Sequence, residues 1–507
     1  MEIHIVDQYR EFLELREQWN VLLKRSLHPI VFLTHQWVDT WWKAFGTGKS
    51  LFILLVYDGN ELTAIAPLMI HEGAHVILGK PHIAIRARKI EFIANVHSNR
   101  ADIILGNKPA EACEKIINFL TDDCSNYWDI MSLEYLLVDS PSFMFLENAL
   151  KKKNISYKQY SLISSPYVPI NCTWNEYAQS LSKKHKNNIA RRIKKMSIKG
   201  APIIKKCHDT SDLAPILDHI FTVAAESWKA KENTALSSND QSRAFYADLA
   251  YTAAKEGWLE IYILYLGQVP VVFNFALVFE NRLLLLKTEY DENYSEYGVG
   301  HALILTQLKS TFSRGLTEFD FLGPSMPWKK IYCNDTVKEH ISLHVYNKNY
   351  KGSLLNYVYC TKDILKKLIR HTGSANSYQR IEKIKQNQLF PLEADATDIE
   401  KKETIHEQGD LKEDLFILTE KDGDVIKPQN QNYKDILEEE KIVQLIDERT
   451  KARQDRNWQR ADEIREFLSE KGVEINDSRQ GTTWCYKNSN IRMDGLEGSK
   501  CSQTIGR

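Results

Sequence analysis

The feature that most limits how this chain can fold is a break in its composition. Between Glu393 and Asp424 stand twelve acidic residues against four basic ones, with few aromatics. Such a stretch repels itself and cannot bury enough apolar surface to offset the entropy of ordering it. Residues 371–435 therefore read as an acidic linker, within which 414–418 has a strand-like pattern. At 507 residues the chain is in any case too long for one ordinary core. The linker separates a large portion before it from a small one, 436–487, after it. The Gly- and Ser-containing tail, 488–507, reads as disordered.

Upstream of the linker, helical and strand periodicities alternate. Residues 9–24 and 34–45 read as helices, the second with Trp37, Trp41 and Trp42 on and around one apolar face. Residues 51–57 and 62–70 alternate and are joined by Asp58-Gly59-Asn60, which predicts a hairpin. Strands at 89–93 and 102–105, a helix near 110–122 and a strand at 129–134 complete a first half, 1–160. The second half, 165–370, repeats the theme. It has helices at 174–198, 213–228 and 242–256, then a hairpin of 259–265 and 269–279 turning at Gly267-Gln268. A strand at 282–288, a helix at 300–315 and a strand at 318–322 follow. Helices before a hairpin in both halves suggest a duplicated unit, and the fold class is α+β around mixed sheet.

Two local patterns carry chemistry. Residues 183–206 hold ten Lys or Arg, among them Arg191, Arg192, Lys194 and Lys195, plus His185 and no acid. A solvated face is the plain explanation, but a helix of one sign also suits phosphate, in an RNA backbone or a pyrophosphate cofactor. The second pattern runs from Tyr290 to Ala302, a strand end followed by Gly298 and Gly300 at the opening of a helix. Backbone N–H groups there can approach an anion, although an ordinary strand-to-helix turn uses the same glycines. Its sequel, Glu318 to Lys329, ends a strand and turns through Leu322-Gly323-Pro324. A site holding an activated acyl carbonyl would use the glycine-turn N–H groups or Lys329 against the oxyanion. Asp320 or Glu289 would accept the proton of an attacking amine. The plain alternatives are a turn-capping Asp320 and a surface Lys329.

As a set, these pieces resemble GNAT-fold acyltransferases of the CelD-like, FemAB-related family over about 10–345. The matching parts are the tryptophan helix, Gly59 with Ala64-Ile65-Ala66-Pro67-Leu68, Arg191-Arg192 on the basic helix, Tyr290 with Gly298 and Gly300, and Asp320-Phe321-Leu322-Gly323 with Trp328-Lys329. The resemblance implies two GNAT-like mixed-sheet halves and a donor site at Tyr290, Gly298, Gly300, Arg191, Arg192 and Trp328. It places catalysis at Asp320, Lys329 and Glu289. Ser295 stands at the first position of the acyl-CoA pattern Q/R-x-x-G-x-G/A, a departure from the usual pyrophosphate grip. Members of this fold take their acyl group from aminoacyl-tRNA or acyl-CoA, so the implied co-substrate is one of these and no further cofactor is expected.

In the small portion, Ile442, Leu445, Ile446, Ala461, Ile464, Phe467 and Leu468 recur at threes and fours with a break near Asn457. Gly472 ends the second helix, and Val473-Glu474-Ile475 begins a short strand leading to turn residues Asp477-Ser478 and Gly481-Thr482. The string resembles the C-terminal module of cysteinyl-tRNA synthetases at Ile442, Leu445-Ile446, Arg449, Ala452-Arg453, Asn457-Trp458, Ala461-Asp462, Ile464-Arg465, Leu468, Gly472-Val473, Asp477, Gly481-Thr482 and Trp484. That resemblance implies tRNA-Cys as partner, read by Arg453, Trp458, Asp462 and Asp477. A guanidinium fork suits a guanine edge, an indole stacks, and carboxylates accept from exocyclic amines. The plain alternative is core aromatics and a surface pair of Arg453 with Asp462. Lys195-Met196-Ser197-Ile198 is only superficially like the KMSK loop of class I synthetases, and nothing like HIGH precedes it.

Joined, the two resemblances imply transfer of a cysteinyl group from charged tRNA-Cys to an amine acceptor, a small molecule or a peptide. An acyl-CoA-dependent N-acetyltransferase acting on a sugar or amine is one alternative, and a non-catalytic tRNA-binding protein another. A flexible linker of about sixty residues spans roughly 40 Å, enough to let both parts engage one tRNA. The net charge of −1 leaves any RNA binding to local clusters. Eight cysteines without a CxxC pair suggest a reducing compartment and no cysteine-based zinc site. The N-terminal residues lack a signal-peptide pattern and no apolar run reaches membrane length, so a cytoplasmic location is expected.

Overall fold

Pro67 divides what reads as one strand over 62–70 into two strands of different sheets. Proline has no N–H to donate, so a ladder stops at it. The computed structural model describes residues 1–78, 83–231, 235–371, 418–421, 425–428, 439–455, 457–470, 473–478 and 481–486. They fall into two units, Met1–Pro428 and Gln429–Arg507.

In chain order the strands of the first unit begin with β1 (Glu2–Val6), β2 (Ser50–Leu51), β3 (Ile53–Asp58), β4 (Glu61–Ala66), β5 (Leu68–Leu78), β6 (Ile83–Phe92), β7 (Ile104–Leu105), β8 (Ile130–Leu137) and β9 (Tyr157–Pro169). They continue with β10 (Pro202–Cys207), β11 (Leu259–Leu266), β12 (Val269–Phe279), β13 (Arg282–Tyr290), β14 (Glu318–Asp320), β15 (Val337–Tyr346), β16 (Leu418–Lys421) and β17 (Val425–Pro428). A small sheet has the order β1-β3-β4-β7. The large one runs β16-β17-β10-β11-β12-β13-β14-β9-β15-β8-β6-β5-β2 and is mixed, with β13–β14 and β6–β8 parallel. The architecture is thus α+β around mixed sheet.

The sheet does not respect the division expected near residue 160. β14 pairs antiparallel with β9, β9 with β15, and β15 with β8. A strand from the later part of the chain is therefore inserted beside the earlier part, and both halves share one ladder. β9 and β15 escape the sequence reading because both mix polar and apolar side chains; β9 is mostly half-buried along its length. Aromatic packing adds a second junction. The helix His35–Phe45 is capped by Thr34, whose side chain accepts from Trp37 N at 3.2 Å. It presents Trp37 edge-on to Phe245 of the helix Asp240–Lys255, centroids 5.6 Å apart.

Two expectations need correction here. The helix expected over 174–198 is two, Trp174–Ser180 and Lys183–Met196, because Leu181 between them is extended. The acidic linker is not wholly a spacer, since β16 and β17 pair with each other and β17 continues the sheet from β10 at Ile204↔Ile426. The strand-like 414–417 lies outside the described residues, as does the tail after 487. Among the described residues no helix is long and apolar enough to cross a membrane.

The second unit has helices Glu439–Gln454 and Trp458–Glu470, then β18 (Val473–Ser478) and β19 (Gly481–Tyr486), paired antiparallel. The single expected strand is thus a hairpin, with Asp477 and Thr482 as cross-strand partners. Ile446, Ala452, Ala461, Ile464, Leu468 and Ile475 are buried, which accounts for the helical period in the sequence. Gly472 lies outside the described residues.

Candidate functional site

The glycine turn and the basic helix are built against each other. After β13 a 3₁₀ turn, Glu292–Tyr297, is started by Asp291, whose carboxylate accepts from Asn293 N at 2.9 Å. Gly298 follows in the left-handed region, φ 65°, and a Cβ there would lie 2.9 Å from Cβ of Arg192. Conformation and space both require glycine at 298. At Gly300 a Cβ would meet only the Tyr290 ring, at an ordinary 3.9 Å. The helix Val299–Ser313 then points its positively polarised end toward this turn. Tyr290, Gly298, Gly300 and Arg192 are therefore brought together. Arg191, one residue before, is exposed and donates to Asn188 at 3.4 Å.

From this turn the structure reaches the later signature through His301. Its Nδ1 lies 2.6 Å from the Tyr332 hydroxyl, on the helix Pro327–Cys333. Burial, then the charges of Arg192 and His185, push the imidazole down to about 4. Tyr332 stacks on Phe321, and Trp328 of the same helix stands edge-on to that ring at 5.8 Å.

Asp320 has a different job from the expected proton acceptor. It is 0% exposed and forms an ion pair with Arg100, itself 2% exposed. Lys338 Nζ lies 3.0 Å from the same carboxylate, and Leu322 N donates to it at 2.8 Å. Burial alone would raise this carboxyl, but Arg100 and Lys338 together hold it far below its usual range. A sealed carboxylate whose ionised form is favoured this strongly is poorly suited to taking an amine proton. It clamps a turn instead. Leu322 and Gly323 both have positive φ, 49° and 55°, and Lys329 Nζ donates to Leu322 O at 2.7 Å and Pro324 O at 3.1 Å. Lys329 is thus buried, not the surface lysine of the plain alternative, and it ties the turn from the other side. Glu289 is also buried, its Oε1 accepting from Leu236 N at 3.0 Å.

Arg100, Asn99, Lys338, His301 and Tyr332 are the residues that sequence reasoning missed. Asn99 lies against the turn, its Oδ1 3.7 Å from where a Cβ on Gly323 would be. The available signal was slight: a single arginine in the approach to Ile103-Ile104-Leu105.

Residues 183–330 match the family described as the acetyltransferase (GNAT) domain. This GNAT segment contains the basic helix, Glu289, the glycine turn, Asp320 and Lys329. Among curated proteins, the cysteine–tRNA ligase of Marinomonas sp. (strain MWYL1) is 54% identical over 56 residues, 11% of this chain and 12% of its own. That of Legionella pneumophila (strain Corby) is 55% identical over 51 residues, 10% and 11% of the two chains. The chain therefore spans about one-eighth or less of the length of these relatives. Among solved structures, FemX aligns over 69% of this chain and 98% of its own, with a TM-score of 0.43 and 10% identity.

In the second unit, Arg453 and Asp462 are exposed on the two helices. Trp458 opens the second helix and Asp477 sits on β18. Among the described residues, Arg460 pairs across the helices with Glu448 at 2.9 Å and with Glu463 at 3.1 Å on its own helix. Arg449 is buried, so it belongs to the packing of the hairpin.

Proposed function

We propose that this protein is a GNAT-fold acyltransferase that takes a cysteinyl group from charged tRNA-Cys and delivers it to an amine. The observation that carries this reading is the coexistence in one chain of a segment matching the GNAT domain and a stretch more than half identical to cysteine–tRNA ligases. We assign the latter to residues 436–487 on the residues quoted for the resemblance. In this reading Arg453, Trp458, Asp462 and Asp477 hold the anticodon. The basic helix, with Arg191 and Arg192, meets the phosphates of the acceptor end beside Gly298 and Gly300, with Tyr290 and Trp328 bordering the donor. Glu289 accepts the proton of the attacking amine and Lys329, with Asp320 behind it, keeps the 322–324 turn in place.

A second reading is favoured by the Arg192–Gly298 packing: an arginine whose stem packs against a helix N-terminus also suits the pyrophosphate of acyl-CoA. The deciding experiment incubates the full chain with cysteinyl-tRNA-Cys and with acetyl-CoA in cell extract and follows loss of each donor. Consumption of cysteinyl-tRNA alone supports the first reading. Consumption of acetyl-CoA without binding of tRNA-Cys sinks it in favour of the second, and binding of tRNA-Cys without consumption of either donor leaves a tRNA-binding protein.

A further inference from the structure

A cavity of about 380 Å³ lies between the tryptophan helix and β5, β6 and β8. Its aromatic walls come from Trp41, Phe45 and Tyr135, and its polar lining includes His71, Glu91 and Glu134, with Lys49 the lining cation. The two carboxylates are not equivalent. Glu91 is ion-paired with Lys89 and lies 3.1 Å from His71 Nδ1. Burial would raise its carboxyl, but His71 and Lys89 hold it down to about 2, so its charge is compensated within the protein. Among the described residues the hydrogen-bond donor to Glu134 is the Ser132 hydroxyl, at 3.4 Å. Burial foremost, and the negative charge of Glu91, push its carboxyl up against the pull of Lys89. Lys49 at the rim is already engaged, donating to Phe45 O at 2.5 Å with its ammonium over the Trp41 ring.

Tyr135 is an independent pointer to a ligand. It is 5% exposed and lines the cavity beside Glu134. Its backbone is also left-handed, φ 66°, a conformation that a bulky residue keeps only where its surroundings dictate it. A neutral hydroxyl oxygen, an under-bonded carboxylate and aromatic faces around one space match the needs of an ammonium group. It has three N–H donors and is attracted to ring faces, whereas an anion would be repelled by Glu134.

We infer that this cavity binds a compact organic ammonium ion, its N–H groups shared between the Glu134 carboxylate and the Tyr135 hydroxyl oxygen, its carbon chain against Trp41 and Phe45. Identifying that ligand as the acceptor rests on the transferase reading above. The group held here is then a second cationic centre of the acceptor, since a protonated amine has no lone pair with which to attack. The chain itself links the two places. Asn95 and Val96 border the cavity, and Asn99 and Arg100, a few residues on, lie against Gly323 and Asp320.

The test titrates the full chain with n-butylammonium, n-butanol and butyrate and reads binding by NMR. Butylammonium should saturate and the other two should not. Glu134→Gln should weaken it about tenfold, the scale of one charge-assisted hydrogen bond. Gln241→Trp, at an exposed helix position on the cavity's edge, should block it without touching the carboxylates, with thermal unfolding unchanged. Equal binding of butanol, or butylammonium binding that survives both substitutions, overturns the assignment. The readout needs no donor. Ammonium binding by a protein that consumes neither donor breaks the transferase reading and leaves this site standing, while transfer without ammonium binding breaks this site alone.

Discussion

Asp320 and Arg453 stand out equally in the sequence, each inside a recognisable string of residues, yet they occupy opposite physical situations. Asp320 is sealed at the junction of the two halves, between Arg100 and Lys338. Arg453 lies on an exposed helix of a small hairpin. A buried charge locked between two cations does a great deal for the fold, because leaving its partner alone in low dielectric is expensive. An exposed guanidinium faces solvent, where an ion pair adds little to the fold. Prominence in sequence does not separate these roles; burial does.

The largest expected effect lies on the buried side. Asp320→Asn should destabilise the first unit by about 3–5 kcal/mol in denaturant unfolding, since Arg100 keeps its charge without a counter-ion. A smaller loss would mean the junction is more hydrated than it looks, and the comparison would blur. Next comes Gly298→Ala, which must adopt a left-handed backbone and push against Arg192. It should cost about 1–3 kcal/mol of stability and reduce use of whichever donor is consumed. On the exposed side, Arg453→Ala should weaken tRNA-Cys binding by about 1–3 kcal/mol while unfolding of the chain stays unchanged. Undiminished discrimination against other anticodons would remove Arg453 from the proposed surface.

Acid should separate the two regions more gently. Burial holds His97 and His340 down to about 3 and His301 to about 4. Because their folded values lie below the usual 6.5, the unfolded chain binds protons first. Stability from these groups is complete above about pH 6.5 and is lost as pH falls through 4 toward 3. His340→Gln should flatten that slope in the first unit. The smallest effect is expected for Arg460→Ala, which removes an exposed ion pair and should leave both melting and tRNA binding where they were.

How much was legible follows from the range over which each feature acts. The helical repeat of Ile446, Ala461, Ile464 and Leu468 is local, so the hairpin of the second unit could be read from spacing, with β19 missed because Gly481-Thr482 looks like a turn. The glycine at 298 was visible as a turn, but its closeness to Arg192 joins residues more than a hundred positions apart. Arg100 meeting Asp320, and β15 returning between β9 and β8, are longer-range still. Nothing near Asp320 in the chain announces its counter-ion.

By itself, then, the sequence determined the periodic elements, the break at the acidic stretch, the one-signed basic helix and the residue strings that name two families by resemblance. These depend on neighbours a few positions away, where backbone geometry repeats at 3.6 or 2 residues. The tertiary structure alone decided which charged residues are sealed and which are open, that both halves share one sheet, and that Glu134 and Tyr135 line a cavity with Trp41 and Phe45. Burial and pairing are properties of the packed whole, set by strands that meet across hundreds of residues, and no local pattern encodes them.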